Sequence, residues 1–244
     1  GSESNPYLIS TAEQLAYLMN LCSTKGTEAT KNKHFALIAN INLNDVTNAN
    51  WKDNGAYEWF YGTSENTSAV FAGTFDGRGH VIKGIYINET AKLYNGLFSA
   101  LSLNATVKNL GIADSYICGN AKAGNYTGAL AGLRTASTSG NGVKIQSCYV
   151  DKDVTVEGDY ASGLISKVQQ KLSIENCYSK ASVTGAADSA LFVAEAISTS
   201  VSIDIKYCYS SVAGVPLVTA KAASKITYSD SYSVYSSLPG LAKL

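Results

Sequence analysis

Two short motifs alternate along this chain, and their alternation predicts its fold. The first reads Val107-Lys108-Asn109-Leu110-Gly111, Ile145-Gln146-Ser147-Cys148-Tyr149, Ile174-Glu175-Asn176-Cys177-Tyr178, Lys206-Tyr207-Cys208-Tyr209 and Ser229-Asp230-Ser231-Tyr232. Its shared position falls at 110, 148, 177, 208 and 231. The second reads Asn95-Gly96-Leu97-Phe98, Thr127-Gly128-Ala129-Leu130, Ser162-Gly163-Leu164-Ile165, Ser189-Ala190-Leu191-Phe192 and Val215-Pro216-Leu217-Val218. Intervals of roughly 23 to 38 residues belong to repeat architectures. Their unevenness fits insertions in turns, which a solenoid tolerates because each coil touches only its neighbours.

The units alternate on a period of two, as in Val154-Thr155-Val156 and Ala181-Ser182-Val183, and Gly, Asn, Asp and Ser break them every few residues. That pattern favours short strands over helices. Such strands cannot bury a face alone, but stacked coils share one core. The expected fold class is all-β, a parallel β-solenoid. The first third differs. Ser10 precedes Glu13 by three residues, a capping-box signature. Leu15, Leu18, Met19 and Cys22 then give a helix over about 11–22 one apolar face. This helix is expected to cap the open end of the core, as terminal repeats require. Phe35 to Leu43 reads as one strand, and Phe71 to Ile82 as strand, tight turn and strand around Asp76-Gly77-Arg78-Gly79.

The layout that follows is one solenoid domain over 3–244, with cap and first strands in 3–45 and degenerate coils in 46–244. Gly1-Ser2 reads as the scar of tag cleavage. The end of the sequence shows no second cap, so the last segment is expected to fold back as a plug or to lead into a longer multidomain chain.

Composition narrows the role. Of 244 residues, 45% are apolar and only 16% charged, so Ser, Thr, Asn and Tyr must supply the polar surface. That vocabulary is common in extracellular proteins. Lys and Arg total 19 against 19 Asp and Glu. A neutral chain without a basic stripe gives nucleic acid no electrostatic footprint. No apolar run approaches the ~20 residues of a membrane-spanning helix.

The opening Pro6-Tyr7-Leu8-Ile9-Ser10-Thr11-Ala12-Glu13-Gln14-Leu15, the segment Phe71-x-Gly73-x-Phe75-Asp76-Gly77-x-Gly79-His80-x-Ile82, and the repeated Gly-Leu and Asn-Cys-Tyr-Ser units resemble the GLUG-motif family. Those repeats occur in bacterial surface and secreted proteins, including regions of IgA-specific metallopeptidases. The resemblance runs from about residue 5 to about 235, and the later repeats depart from it, with Ala190 and Pro216 where the family prefers Gly. It implies a right-handed parallel β-helix, an extracellular or cell-surface location and no catalytic residues in this region.

Candidate chemistry is sparse. Cys148, Cys177 and Cys208 share one repeat position, so they are expected to stack about 4.8 Å apart, pointing inward. Parallel register aims both side chains the same way, which is poor geometry for a disulfide. Cys22 belongs to the cap's apolar face and Cys118 to a strand end. If the column cysteines point in, Tyr149, Tyr178, Tyr209 and Tyr232 point out. Four aromatics then form either a platform for sugar rings or a partner's apolar surface, or a self-stacking ladder that stabilises the sheet. Asp151, Asp153, Glu157 and Asp159 could hold a surface Ca²⁺ or form a solvated turn. Asp114, Glu175, Glu195, Asp204 and Asp230 occupy unlike repeat positions and are not expected to converge. Asp76 is expected to bond backbone N–H groups in its turn rather than pair with His80 for acid–base work. The sequons at Asn66, Asn88, Asn104 and Asn125 are expected by chance in so Asn- and Thr-rich a chain.

No cofactor is implied. The function expected is a non-catalytic extracellular module, adhesin-like, carbohydrate- or protein-binding, or a spacer, with glycans or host and cell-surface proteins as partners. The alternative is a β-helical polysaccharide-active enzyme, lyase or hydrolase, which requires convergent carboxylates.

Overall fold

The computed structural model describes residues 1–53, 55–59, 69–88, 92–102, 104–119, 124–135, 141–197, 201–220, 225–233 and 242–243. Asn66 and the segment around Leu238-Pro239-Gly240 lie outside the described residues, as do Glu89 and Thr90 of the Asn88 sequon.

The chain winds as a parallel β-helix. Its strands fall into four sheets, and every strand pairing among the described residues is parallel. Sheet A stacks eight strands: Tyr7–Ile9, His34–Leu37, Thr74–Asp76, Thr106–Lys108, Val143–Gln146, Leu172–Glu175, Ser202–Lys206 and Lys225–Ser229. Sheet B follows one corner later, through Val81–Lys83, Gly111–Ala113, Tyr149–Val150, Tyr178–Ser179, Tyr209–Ser210 and Tyr232–Ser233. Sheet C closes each turn with Phe98–Leu101, Ala131–Arg134, Ile165–Val168 and Val193–Ala196.

Sheet D lies between B and C. Its long strand Val154–Ser162 pairs with Ser115–Cys118 along its first half and with Tyr126–Gly128 along its second. One coil thus merges what the previous coil keeps as two strands.

The core fills the lumen. In sheet A the inward column runs Phe35, Phe75, Val107, Ile145, Ile174, Ile205 in register, all buried. At the N-terminal end Phe71, Phe75 and Phe98 pack with centroids 5.1 to 6.4 Å apart. Edge and tilted contacts of this kind suit aromatic quadrupoles.

The capping helix α1 spans Ala12–Lys25 and buries Leu15, Leu18, Met19 and Cys22, as the periodicity predicts. Its cap sits one residue later than the Ser10…Glu13 reading. Thr11 is the N-cap and accepts the Gln14 N–H at 3.3 Å, while Gln14 Oε1 accepts the Ser10 N–H at 2.7 Å. A Gln performs the reach-back as well as a Glu, so two overlapping signatures competed in the sequence. Phe35 to Leu43 is likewise two strands, His34–Leu37 and Ile41–Asn42, because the coil turns a corner between them.

The A–B corner explains the cysteine column. The residue before each shared position adopts positive φ: Asn109 at 54°, Ser147 at 52°, Asn176 at 53°, Tyr207 at 53° and Asp230 at 48°. The column residue therefore sits in a bend and turns into the lumen. Cys148, Cys177 and Cys208 are free and buried. Each thiol donates to the carbonyl two residues before it, at 3.3, 3.2 and 3.1 Å. The Cys148 N–H donates to Cys177 Sγ, and the Cys177 N–H to Cys208 Sγ, both at 3.4 Å. In the last coil Ser231 Oγ takes both roles. On either side of the column the backbone bonds adjacent coils directly, as Ser147 N–H to the Glu175 carbonyl and Tyr178 N–H to the Cys148 carbonyl, so the ladder takes up the column N–H groups left between them.

Candidate functional site

The outward tyrosine column forms as a register ladder on sheet B. Tyr149 pairs with Tyr178, Tyr178 with Tyr209 and Tyr209 with Tyr232. The rings of Tyr149 and Tyr178 stack at 5.1 Å and 12°, those of Tyr178 and Tyr209 at 5.0 Å and 26°. At its inner end Tyr149 lies flat over Gly111, where an added Cβ would stand 2.4 Å from the ring. The middle rings thus spend their faces on one another, and edges and hydroxyls remain for a partner. Exposure rises along the column to 37% at Tyr209 and 42% at Tyr232, and Tyr207 beside them in the chain is 56% exposed. Burial raises the Tyr178 phenol above its usual range, with smaller contributions from Tyr209, Tyr149 and Asp151.

A second ladder was hidden in the other repeat. Tyr94, Tyr126 and Tyr160 are in register on sheet D and stack at 5.7 and 4.7 Å. Lys167 places its Nζ 3.9 Å from the Tyr126 ring centre and 3.8 Å from Glu195, its register partner on sheet C. Burial, and next Glu195, push the Tyr126 phenol up. Tyr126 and Glu195 are buried, so this nest ties sheets C and D together rather than meeting solvent. The signal was present but uneven: tyrosine stands two residues before the second motif's Gly96 and Gly128 and three before Gly163, and Asp188 is the register partner of Tyr160 in the next coil.

A third aromatic group lies at the B–D corner. Tyr86 and Tyr116 stack at 6.0 Å, Trp51 meets Tyr86 edge-on at 6.0 Å, and Lys52 sits 4.5 Å over Tyr116. Beside it opens a cleft of about 230 Å³, lined by Asn48, Trp51, Lys52, Asp114, Asp153 and Thr155 among others. A pairing that the sequence reading did not consider lies here: the Asp114 N–H donates to Asp153 Oδ1 at 3.0 Å, and Asp114 Oδ2 accepts from Lys83 Nζ at 2.7 Å. Between the register pairs Ile112 and Val150 and Ser115 and Val154, one coil has two residues and the next has three, and Asp153 reaches the Asp114 amide of the preceding coil. The Lys83 bond holds the Asp114 carboxyl below its usual range. Burial, opposed by the Asp114 N–H and joined by the Asp114 and Asp151 carboxylates, raises that of Asp153.

The other acidic candidates are dispersed. Glu157 accepts from the Tyr116 hydroxyl at 3.4 Å, and Asp159 accepts from the Gly124 N–H. Asp151, Asp153, Glu157 and Asp159 therefore do not close around one cation. Among the described residues no group of three or more His, Cys, Asp and Glu is placed to hold a metal ion. Asp76 accepts the Arg78 N–H at 2.9 Å and the Asn109 amide at 3.0 Å, and His80 turns to Asn40 at 3.3 Å. The Asn125 sequon is fully buried. No helix among the described residues is long and apolar enough to cross a membrane.

No family model matches the chain. It is 27% identical over 141 residues to "Halomucin" of Haloquadratum walsbyi, covering 57% of this chain and 1% of that protein. It is 35% identical over 118 residues to a "Putative Gly-rich membrane protein" of Evansella cellulosilytica, covering 48% of this chain and 12% of that one. The chain thus matches a small part of both much longer proteins. The crystal structure of a "putative immunoglobulin A1 protease" from Bacteroides ovatus superposes with a TM-score of 0.53 at 19% identity, over 96% of this chain and 76% of that one. At that identity the likeness is one of fold.

Proposed function

We propose that this chain is a non-catalytic extracellular solenoid module of a larger surface protein, with GLUG-type repeats over one domain spanning 3–244. Its recognition surface is the C-terminal end of the tyrosine column, and its partner is a glycan or a host or cell-surface protein. The observation that carries this reading is the exposure of Tyr209 and its register partner Tyr232, and of Tyr207 two residues before Tyr209, against the more covered rings below them. Tyrosine offers a rigid apolar ring and a hydroxyl at low entropic cost, which suits recognition. Tyr209 gives one face to Tyr178, so contact at this end runs through its other face and through the edges and hydroxyls of the column. The partial sequence likeness to a halomucin and to a Gly-rich membrane protein supports a surface setting.

A glycan and surface-protein array tests the reading. Binding is expected, and a Tyr209→Ala/Tyr232→Ala double variant that keeps its fold should lose it. Binding that survives the double substitution removes the tyrosine surface. The Asp114–Asp153 pair favours a second reading, a polysaccharide-active enzyme. Turnover of a polysaccharide that disappears in Asp153→Asn would put that reading in place of the first.

A further inference from the structure

We propose that the cleft between residues 46–53 and the Asp114–Asp153 corner is a second binding site, for a single uncharged sugar ring. It lies at a different corner from the tyrosine end, so either site can fail without the other.

Three observations carry the proposal. The first is where the solenoid departs from its own repeat. A segment that follows Asn42 and the turn 151–153 both lengthen the same B–D corner, and they face each other across the cleft. Insertions positioned on a rigid scaffold are where solenoids place recognition. The second is size. About 230 Å³ lies just under the ~300 Å³ at which drug-sized pockets begin, room for one ring and not for a peptide.

The third is chemistry. Trp51 and the methylene stem of Lys52 give the cleft an apolar wall, braced from behind by Tyr86 and Tyr116. Asp114, Asp153 and Thr155 face it with oxygen. Asp114 gives Oδ2 to Lys83, and Asp153 gives Oδ1 to the Asp114 N–H. A carboxylate has about four acceptor positions, so both can still receive hydroxyl donors. A flat C–H face against an indole and hydroxyls toward carboxylates describe a sugar ring. Charge selects among sugars. Asp114 and Asp153 line the cleft with Lys52, and Lys83 is bound to Asp114 from outside the lining, so a uronic acid meets the carboxylates and an amino sugar meets Lys52. The neutral ring meets neither penalty.

Saturation-transfer NMR on the whole chain tests this, with methyl β-glucoside, methyl β-galactoside and N-acetylglucosamine as probes and glucuronate and glucosamine as charged controls. At least one neutral probe should bind. Trp51→Ala should weaken it about ten-fold or more, the loss of a stacking aromatic. Asp153→Asn should weaken it several-fold, and Tyr209→Ala/Tyr232→Ala should leave it unchanged. Trp51 stands outside the lumen core, so its variant should keep the fold and tests the site independently of Asp153→Asn. The proposal is overturned by absence of transfer to every neutral probe, by unchanged binding in Trp51→Ala, or by charged controls that bind as well as neutral ones. Loss of binding in the tyrosine double variant would also overturn it, by moving the site to the column.

Discussion

At the residue scale, Asp153 shows how a solenoid can hold two carboxyls together. Its Oδ1 fixes the Asp114 amide, and its charge is resisted by burial and by Asp114 and Asp151. A raised pKa means the folded chain keeps the proton longer than the unfolded chain. Stability from this residue is therefore whole below its ordinary 3.8 and falls as pH rises through the higher folded value. Asp153→Asn keeps an acceptor and deletes the charge. It should be more stable than the parent at pH 7, by no more than ~1 kcal/mol after solvent screening. The gap should close toward pH 4. Urea unfolding at the two pH values measures it, and a gap that widens in acid would count against the pairing. Asp114 runs the other way: its carboxyl is lowered by Lys83, so its contribution is present above its ordinary value and lost in acid.

At the element scale, the A–B corner keeps one geometry through five coils while the residue in its column changes. Leu110, Cys148, Cys177, Cys208 and Ser231 fill one position, and only the last four bond the corner. Thiol and hydroxyl are interchangeable here because both donate back and accept from the coil below. Cys177→Ser should thus cost little, while Cys177→Ala leaves the Cys148 N–H and the Glu175 carbonyl without that partner. A buried donor stripped of its acceptor costs ~1–3 kcal/mol. Denaturant melts of the two variants should separate by about that amount, and equal losses would make the ladder mere packing. Burial comes first in raising the Cys177 thiol, so it stays protonated and shielded from reagents.

At the scale of the molecule, the four sheets make stability a matter of neighbours. Interior coils are sandwiched on both sides. The last described sheet A strand, Lys225–Ser229, has one partner among the described residues, with Lys225, Thr227 and Ser229 exposed and Ile226 and Tyr228 only half-buried. In such quasi-linear arrays each unit is held by its interfaces. Amide exchange should be slowest in the coil over 143–168 and fastest over 225–233. Uniform protection would mean that the chain opens as one unit instead. The N-terminal end is better defended, by α1 and by the phenylalanine cluster beneath it.

The sequence by itself determined the coil. Its two motifs, their inward Leu and Cys positions and the outward tyrosines could be read because a stacked parallel sheet repeats the same environment at the same place in each turn. The capping helix could be read because its apolar face follows a period local to the helix. The tertiary structure decided everything that depends on how corners align. Strand alternation alone does not reveal that Tyr149, Tyr178 and Tyr209 spend their faces on one another, or that a second tyrosine ladder closes over Lys167 and Glu195. Least visible was the meeting of Asp114 with Asp153. Each stands immediately before the register pair Ser115 and Val154 on adjacent coils, but the turns that lead there differ by one residue, so the alignment shows only once the strands are paired.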